Sequence, residues 1–226
     1  MRSFISAFRS ARPTILLAFA AVTGCSRAKA PERPAGADTL WLLAPDAARD
    51  GVRRSDSEAS LRARYGDSNV VASAVNVGEG ELRPGTILFP KDSTRRLAII
   101  WSDTLRRAGA ARVSIDGAPT RWFVTPGVSL GTTLTDLERL NGRPFRLFGM
   151  AFDYAGTVDT WEGGRLDSLW RPPPGSRHLV WLRLRPDTAA DATLVAQVAG
   201  DRLFASSNPA MRRLDPKVYD LIIEPR

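Results

Sequence analysis

Between residues 70 and 115 the apolar side chains come in short runs with the two-residue period of strands, and turn formers separate each run from the next. The runs cover 70–77, 86–89, 97–101 and 112–115, with Gly78, Gly80, Pro84-Gly85, Pro90 and Asp116-Gly117 around them. This punctuation predicts antiparallel sheet. A short helix is expected just before it. Ser55-Asp56-Ser57-Glu58 has the spacing of a capping box, in which a hydroxyl accepts from the third helical amide and a glutamate reaches back. Leu61 and Tyr65 follow four apart on one face, and Gly66 suits a left-handed stop. An earlier apolar run at 39–44, ended by Pro45, reads as a strand.

The same order then recurs. Thr132-Thr133-Leu134-Thr135-Asp136 opens a second short helix with Leu137 and Leu140 apolar, Asn141-Gly142 closes it, and Pro144 prevents continuation. Strands are expected at 145–154, 157–162, 165–170 and 178–184. Placing Gly66 over Gly142 also puts Leu61 over Leu137 and Ser57 over Thr133, a shift of 76 residues that suggests a repeated helix-then-strands unit. Within the second unit Gly163-Gly164 can take the positive φ angles of a primed two-residue turn, so 157–170 reads as a hairpin. That register sets Glu162 opposite Arg165, Trp161 opposite Leu166 and Val158 opposite Leu169. Towards the end of the chain Asn208-Pro209 starts a helix running to about Leu214, and 218–224 alternates as a closing strand. The expected fold is α+β, with short helices packed on antiparallel sheet in two tandem units, 38–125 and 126–226, the second with a C-terminal extension.

Cys25 is the sole cysteine. Before it stand Arg2, Arg9 and Arg12 with no acid among them, then an apolar run at 14–21. That run is far shorter than the roughly 20 residues of a membrane span, so it reads as the core of an export signal. Val22-Thr23-Gly24-Cys25 resembles the lipobox of bacterial lipoproteins. The resemblance implies cleavage between Gly24 and Cys25, acylation of the Cys25 thiol and of the new amino terminus, and membrane anchoring through those chains. Residues 1–24 are then a signal peptide, and 25–37 are the lipidated cysteine with a polar, Pro- and Ala-rich tether. The twelve tether residues, if flexible, span roughly 20 Å. Ser26 follows the cysteine where an Asp would favour inner-membrane retention, so the same resemblance implies the outer membrane of a two-membrane envelope, facing the periplasm. With Cys25 lipidated, no thiol is left for a disulfide, a metal or a nucleophile, and an apolar core must hold the remaining about 200 residues.

The formal charge of +8 does not point to nucleic acid. Arg2, Arg9 and Arg12 would leave with the signal, reducing it to +5, and the other arginines are scattered among acids with no basic run. Catalytic signatures are equally sparse. The single histidine, His178, has no nucleophile elbow in the sequence to serve, and one histidine without an available thiol disfavours zinc. Gly78-Glu79-Gly80 lacks the third glycine and the helix of a dinucleotide fingerprint. Asp153, Asp159, Glu162 and Asp167 gather near the expected hairpin, so a carboxylate-dependent hydrolase of cell-wall glycan is the alternative reading, with calcium a further use for such acids. No catalytic, metal or cofactor residue is assigned. The aromatic residues give the better binding hypothesis. Phe148, Met150 and Phe152 are expected as core under the second helix, whereas Tyr154, Trp161 and Trp170 form the candidate binding surface.

The two helix-to-glycine segments, 57–66 and 133–142, with the strands after each, resemble the small outer-membrane assembly lipoproteins of the SmpA/BamE type and the tandem-repeat β-lactamase-inhibitor-protein fold. The insert at 172–175 and the tail after Pro186 depart from both. The resemblance implies a non-catalytic, lipid-anchored binding or scaffold module whose partners are the membrane, through Cys25, and another envelope protein.

Overall fold

Ser57, two residues beyond the expected cap, starts the first helix. In the computed structural model, which describes residues 41–42, 51–78, 80–117, 120–124, 126–170 and 178–225, α1 (Glu58–Tyr65) opens with the Ser60 amide donating to Ser57 Oγ at 3.1 Å and the Ser57 amide donating to Ser60 Oγ at 2.9 Å. Asp56 and Glu58 are both drawn inward instead: Asp56 pairs with Arg64 at 2.6 Å and Glu58 receives Thr86 Oγ1 at 2.7 Å. The signal segment, Cys25 and the tether lie outside the described residues.

A single 3-10 turn, Asp67–Asn69, leads into four consecutive strands, β2 (Val70–Gly78), β3 (Glu81–Leu88), β4 (Leu97–Asp103) and β5 (Ala108–Asp116). β1 (Trp41–Leu42) pairs in parallel with β6 (Trp122–Phe123). Next comes α2 (Leu134–Asn141), which Thr133 caps by accepting from the Asp136 amide at 3.1 Å and which Gly142 ends at φ 79°. The rest of the chain is β7 (Arg146–Phe148), β8 (Val158–Thr160), α3 (Asp167–Trp170), β9 (His178–Arg185), α4 (Ala192–Gln197), β10 (Leu203–Ala205), α5 (Pro209–Leu214) and β11 (Lys217–Pro225).

The class is α+β, with five short helices and antiparallel sheets of six and three strands among the described residues. The larger sheet runs β2-β3-β4-β5-β11-β9 and the smaller β10-β7-β8. The helix-then-strands order occurs twice, but the strands after α2 divide between the sheets. β7 and β8 join the small one, while β11 pairs with β5 (Ile222 opposite Ser114) and with β9 (Ile222 opposite Trp181). The two segments read from sequence thus share one sheet.

Alternation along these strands separates a covered face from an open one. Leu88, Leu97, Ile99, Val113, Leu182, Leu221 and Ile223 point into the main core, where Leu61 of α1, Leu134 and Leu137 of α2 and Met211 of α5 meet them. The open face carries a smaller cluster of Val75, Ile87 and Ile100. Gly85 permits it: a Cβ there would stand 2.8 Å from Val75 Cγ2 and 2.5 Å from the Ile99 carbonyl oxygen. β3 meets β4 only over Gly85–Leu88, so the far ends of β2 and β3 continue as a two-stranded ribbon.

Residues 157–170 do not form the expected hairpin. The turn exists one residue earlier, with Glu162 (φ 53°) and Gly163 (φ 69°) at its centre and the Gly164 amide donating to the Trp161 carbonyl at 2.9 Å. The chain after it is captured by buried Asn141, whose Oδ1 accepts from the Leu166 amide and whose Nδ2 donates to the Trp161 carbonyl, each at 3.0 Å. Gly164 leaves the space this amide fills, since a Cβ would overlap Asn141. The next residues coil into α3 rather than a strand. Glu162 faces Arg146 at 3.7 Å instead of Arg165, and Arg165 donates to the Arg139 and Leu140 carbonyls at the end of α2.

Candidate functional site: a charged groove on the open sheet face

The open face of β5, β11 and β9 is the floor of a cavity of about 370 Å³. Strand parity aims Arg112 and Ser114 of β5, Asp220 and Ile222 of β11, and Arg183 of β9 into it. The ribbon of β2 and β3 forms one wall through Asn76, Val77 and Gly78, held down where Arg112 Nη1 donates to the Val77 carbonyl at 3.1 Å. Asp153 stands opposite. Its segment is fixed to the edge of β9 by Arg183 Nη2 donating to the Asp153 carbonyl at 2.5 Å and by the Leu184 amide donating to the Gly156 carbonyl at 2.9 Å. A neighbouring cavity of about 400 Å³ shares Arg112, Arg183 and Asp153 and is rimmed by Tyr154, Thr157 and Trp181.

Charges in the groove are balanced rather than one-sided. Arg112 donates to Glu224 Oε1 at 2.8 Å and 3.1 Å, and Arg183 lies 3.9 Å from Asp220. Arg183 Nε is buried with no hydrogen-bond partner among the described residues. Arg185 makes no ion pair among them and lies over the Tyr219 ring at 5.0 Å. Asp220 has only 14% of its side chain exposed. Burial pushes its carboxyl up to about 6, with Asp116 adding to the effect and Arg183 and Arg112 opposing it too weakly. Burial likewise raises the Tyr219 hydroxyl. The groove therefore presents guanidinium donors beside a carboxyl that is half-protonated near pH 6 and mostly ionised at neutral pH, so that it can donate a hydrogen bond in mildly acidic solution and accepts one above it.

The shift at Asp220 predicts a pH signature. A folded-state value of about 6 against 3.8 means the folded protein holds this proton more tightly. The stabilisation is complete below the unfolded value and is lost as pH rises through about 6. Asp220→Asn, neutral throughout, should gain on the wild type by about 2 kcal/mol between pH 4 and pH 7. Urea midpoints of both proteins at the two pH values measure this, and a difference independent of pH would overturn the assignment.

The aromatic residues expected at the surface separate here. Tyr154 is 56% exposed and borders the groove. Trp170 is half-buried and packs edge-on against Trp181, with centroids 5.3 Å apart. Trp161 is 2% exposed and packs against Phe145 in the main core, so it is no part of any binding surface. Its register partner in the expected hairpin does not exist, and Asn141 turns the chain so that the indole faces inward. Met150 is buried, whereas β7 ends at Phe148 and the strand expected over 145–154 gives way to a loop. The rings of Phe148, Phe152 and Tyr154 still follow one another at 6.2 and 6.3 Å, leading out from the small sheet to the groove.

Of the carboxylates considered for glycan hydrolysis, Asp153 lines the groove, while Glu162 lies with Arg146 and lines neither cavity. That pair is not assembled. Asp159 is half-buried on β8 and Asp167 begins α3. His178 opens β9 opposite Pro225. Among the described residues, no group of three His, Cys, Asp or Glu side chains could hold a metal ion, and no helix is long and apolar enough to cross a membrane. Sequence reasoning missed Arg112, Arg183, Arg185 and Asp220. Their one signal was the alternation of polar or charged with apolar residues in 112–115, 178–185 and 217–224, which marks an open face but not what it meets. No protein-family model, curated protein or solved structure matches the chain.

Proposed function

We propose that this chain is a lipid-anchored lipoprotein of the bacterial cell envelope, tethered through Cys25 to the outer membrane on its periplasmic side, whose folded domain is a non-catalytic module that binds an envelope protein. The observation that carries the binding reading is the open face of the six-stranded sheet. It holds a groove with Arg185 free of ion pairs among the described residues and exposed Tyr154 at its rim, on the face opposite the one that the helices cover. Tyrosine and arginine are the side chains that most often anchor protein interfaces. The lipobox-like Val22-Thr23-Gly24-Cys25, with no other cysteine in the chain, supports the anchor.

Two measurements test the two halves separately. Mass spectrometry of the mature N-terminal peptide should find acyl chains on Cys25, and Cys25→Ala should move the protein from the membrane fraction to the soluble one. An unmodified Cys25, or a variant that still sediments with membranes, overturns the anchor. For the groove, a photo-crosslinking amino acid at Tyr154 or Arg185 should give one shared adduct with an envelope protein. The same probe at Leu105, 96% exposed on the β4–β5 turn, should not. Equal adducts at all three positions, or none at the first two, remove the groove as the binding site.

A further inference from the structure

The two edges of the six-stranded sheet are treated differently. β9 is covered along part of its length by residues 153–157, with Thr157 bridging to Arg183, and its own sequence carries Arg183 and Arg185. β2, at the other edge, pairs only with β3. Its nine residues, Val-Val-Ala-Ser-Ala-Val-Asn-Val-Gly, hold no charge and no proline, in a chain that is 25% charged. Residues 71–74 are exposed, and the one bulge lies at the far end between Asn76 and Gly78. Edge strands that stay single use lysine, proline, bulges or a covering segment to prevent pairing, and over 70–76 β2 has none of these among the described residues.

We infer that β2 is a self-association edge, pairing antiparallel with β2 of a second copy of this chain about a two-fold axis through Ala74. The inference does not rest on the groove's partner or on the anchor, although Asn76 and Val77 of the same strand also line the groove wall. A second copy is the occupant because the strand suits itself. Antiparallel pairing centred on Ala74 sets Ser73 opposite Val75, Ala72 opposite Asn76, and Val71 opposite Val77, so no charge meets a like charge. The register keeps parity, so it joins like faces. Val71, Val75 and Val77 of both copies fall on the open face, where Val75 already packs with Ile87 and Ile100. Val71, 42% exposed in the single chain, then gains an apolar partner, and two small clusters become one across the seam. The central residues Ala72, Ser73 and Ala74 are small enough for close approach. A two-fold contact of this kind is closed, which limits growth to a dimer.

Cysteine cross-linking tests the register directly, because Cys25 is the sole thiol and can be removed. In the full chain carrying Cys25→Ser, Ala74→Cys should give a disulfide-linked dimer under mild oxidation, about tenfold faster than Leu105→Cys. Sedimentation of the full chain in detergent should show a dimer, and Val71→Lys should weaken it about tenfold while keeping the wild-type thermal midpoint at concentrations where both proteins are monomeric. A monomer at tens of micromolar, equal cross-linking at Leu105→Cys, or an open ladder of larger species would each overturn the inference.

Discussion

Replacing Trp161 with alanine is expected to destabilise the fold by about 4 kcal/mol, in the range for deleting a buried tryptophan. The ring is 2% exposed, lies 4.9 Å from Phe145 between centroids, and belongs to the main core with Leu137, Leu147 and Leu166. Removing it loses the transfer free energy of the indole and leaves a cavity that the close-packed core around it relaxes only partly to fill. Urea denaturation measures the effect as a lower midpoint at unchanged slope. Trp161→Phe, which keeps an aromatic contact with Phe145, should lose less than half as much. Tyr154→Ala, at an exposed position, should stay within about 0.5 kcal/mol of wild type. A wild-type midpoint for Trp161→Ala would mean the ring is not in the core, and the groove would have to be redrawn.

The second large effect is expected at Glu58. This carboxylate is 9% exposed at the first turn of α1, where the helix dipole favours a negative charge. Thr86 Oγ1 donates to it at 2.7 Å, Arg62 Nη2 at 3.0 Å and Arg107 Nη1 at 3.0 Å, while Trp101 Nε1 donates to Thr86 Oγ1 at 2.9 Å. Glu58→Ala leaves buried Thr86 Oγ1 without its acceptor and removes the carboxylate from Arg62 and Arg107. Those two side chains are 34% and 39% exposed and regain water, so the change should cost about 3 kcal/mol. Glu58→Gln keeps the shape and one acceptor and should cost about half of that. The acid limb supplies an independent check. Burial alone pushes the Glu58 carboxyl upward, but the hydrogen bonds from Thr86, Arg62 and Arg107 outweigh it and hold the group below its ordinary value of 4.5. Its stabilisation is therefore present above 4.5 and lost as pH falls through the lower folded value. This is the opposite sign to Asp220, so Glu58→Gln should flatten the acid side of the stability curve while Asp220→Asn flattens the side towards neutrality. Unchanged acid sensitivity in Glu58→Gln would exclude Glu58 as its source.

The elements legible in the sequence were those whose signals are local. α2 begins at Thr133 and stops at Gly142 because a hydroxyl cap and a left-handed glycine act within one turn of chain. α5 starts after Asn208 with proline at its first position for the same reason. β2 and β4 followed from period and punctuation, since each needs only a neighbour and a turn. However, β3 runs through Pro84-Gly85, which was expected to separate strands, and β5 begins four residues before the expected 112. α4 and β10 were missed: α4 is a short helix with no buried residue, and β10 is three residues borrowed by β7.

Longer-range facts were not legible. Ser57 replaced Ser55 as the cap because Asp56 and Glu58 were claimed by Arg64 and Thr86, partners 8 and 28 residues away. Asn141 looked like a helix terminus, yet its side chain redirects residues 161–166 and so decided that Trp161 is core and that 165–170 coils. The groove arose because β9 and β11 left the strands nearest them in sequence to pair beyond β5, which set Arg183 and Asp220 beside Arg112. The amino-acid order by itself determined the α+β class, the caps and the alternating faces, because those depend on backbone geometry over a few residues. Only the tertiary structure decided which faces meet, because burial and strand pairing depend on residues far apart in the chain whose proximity no local period records.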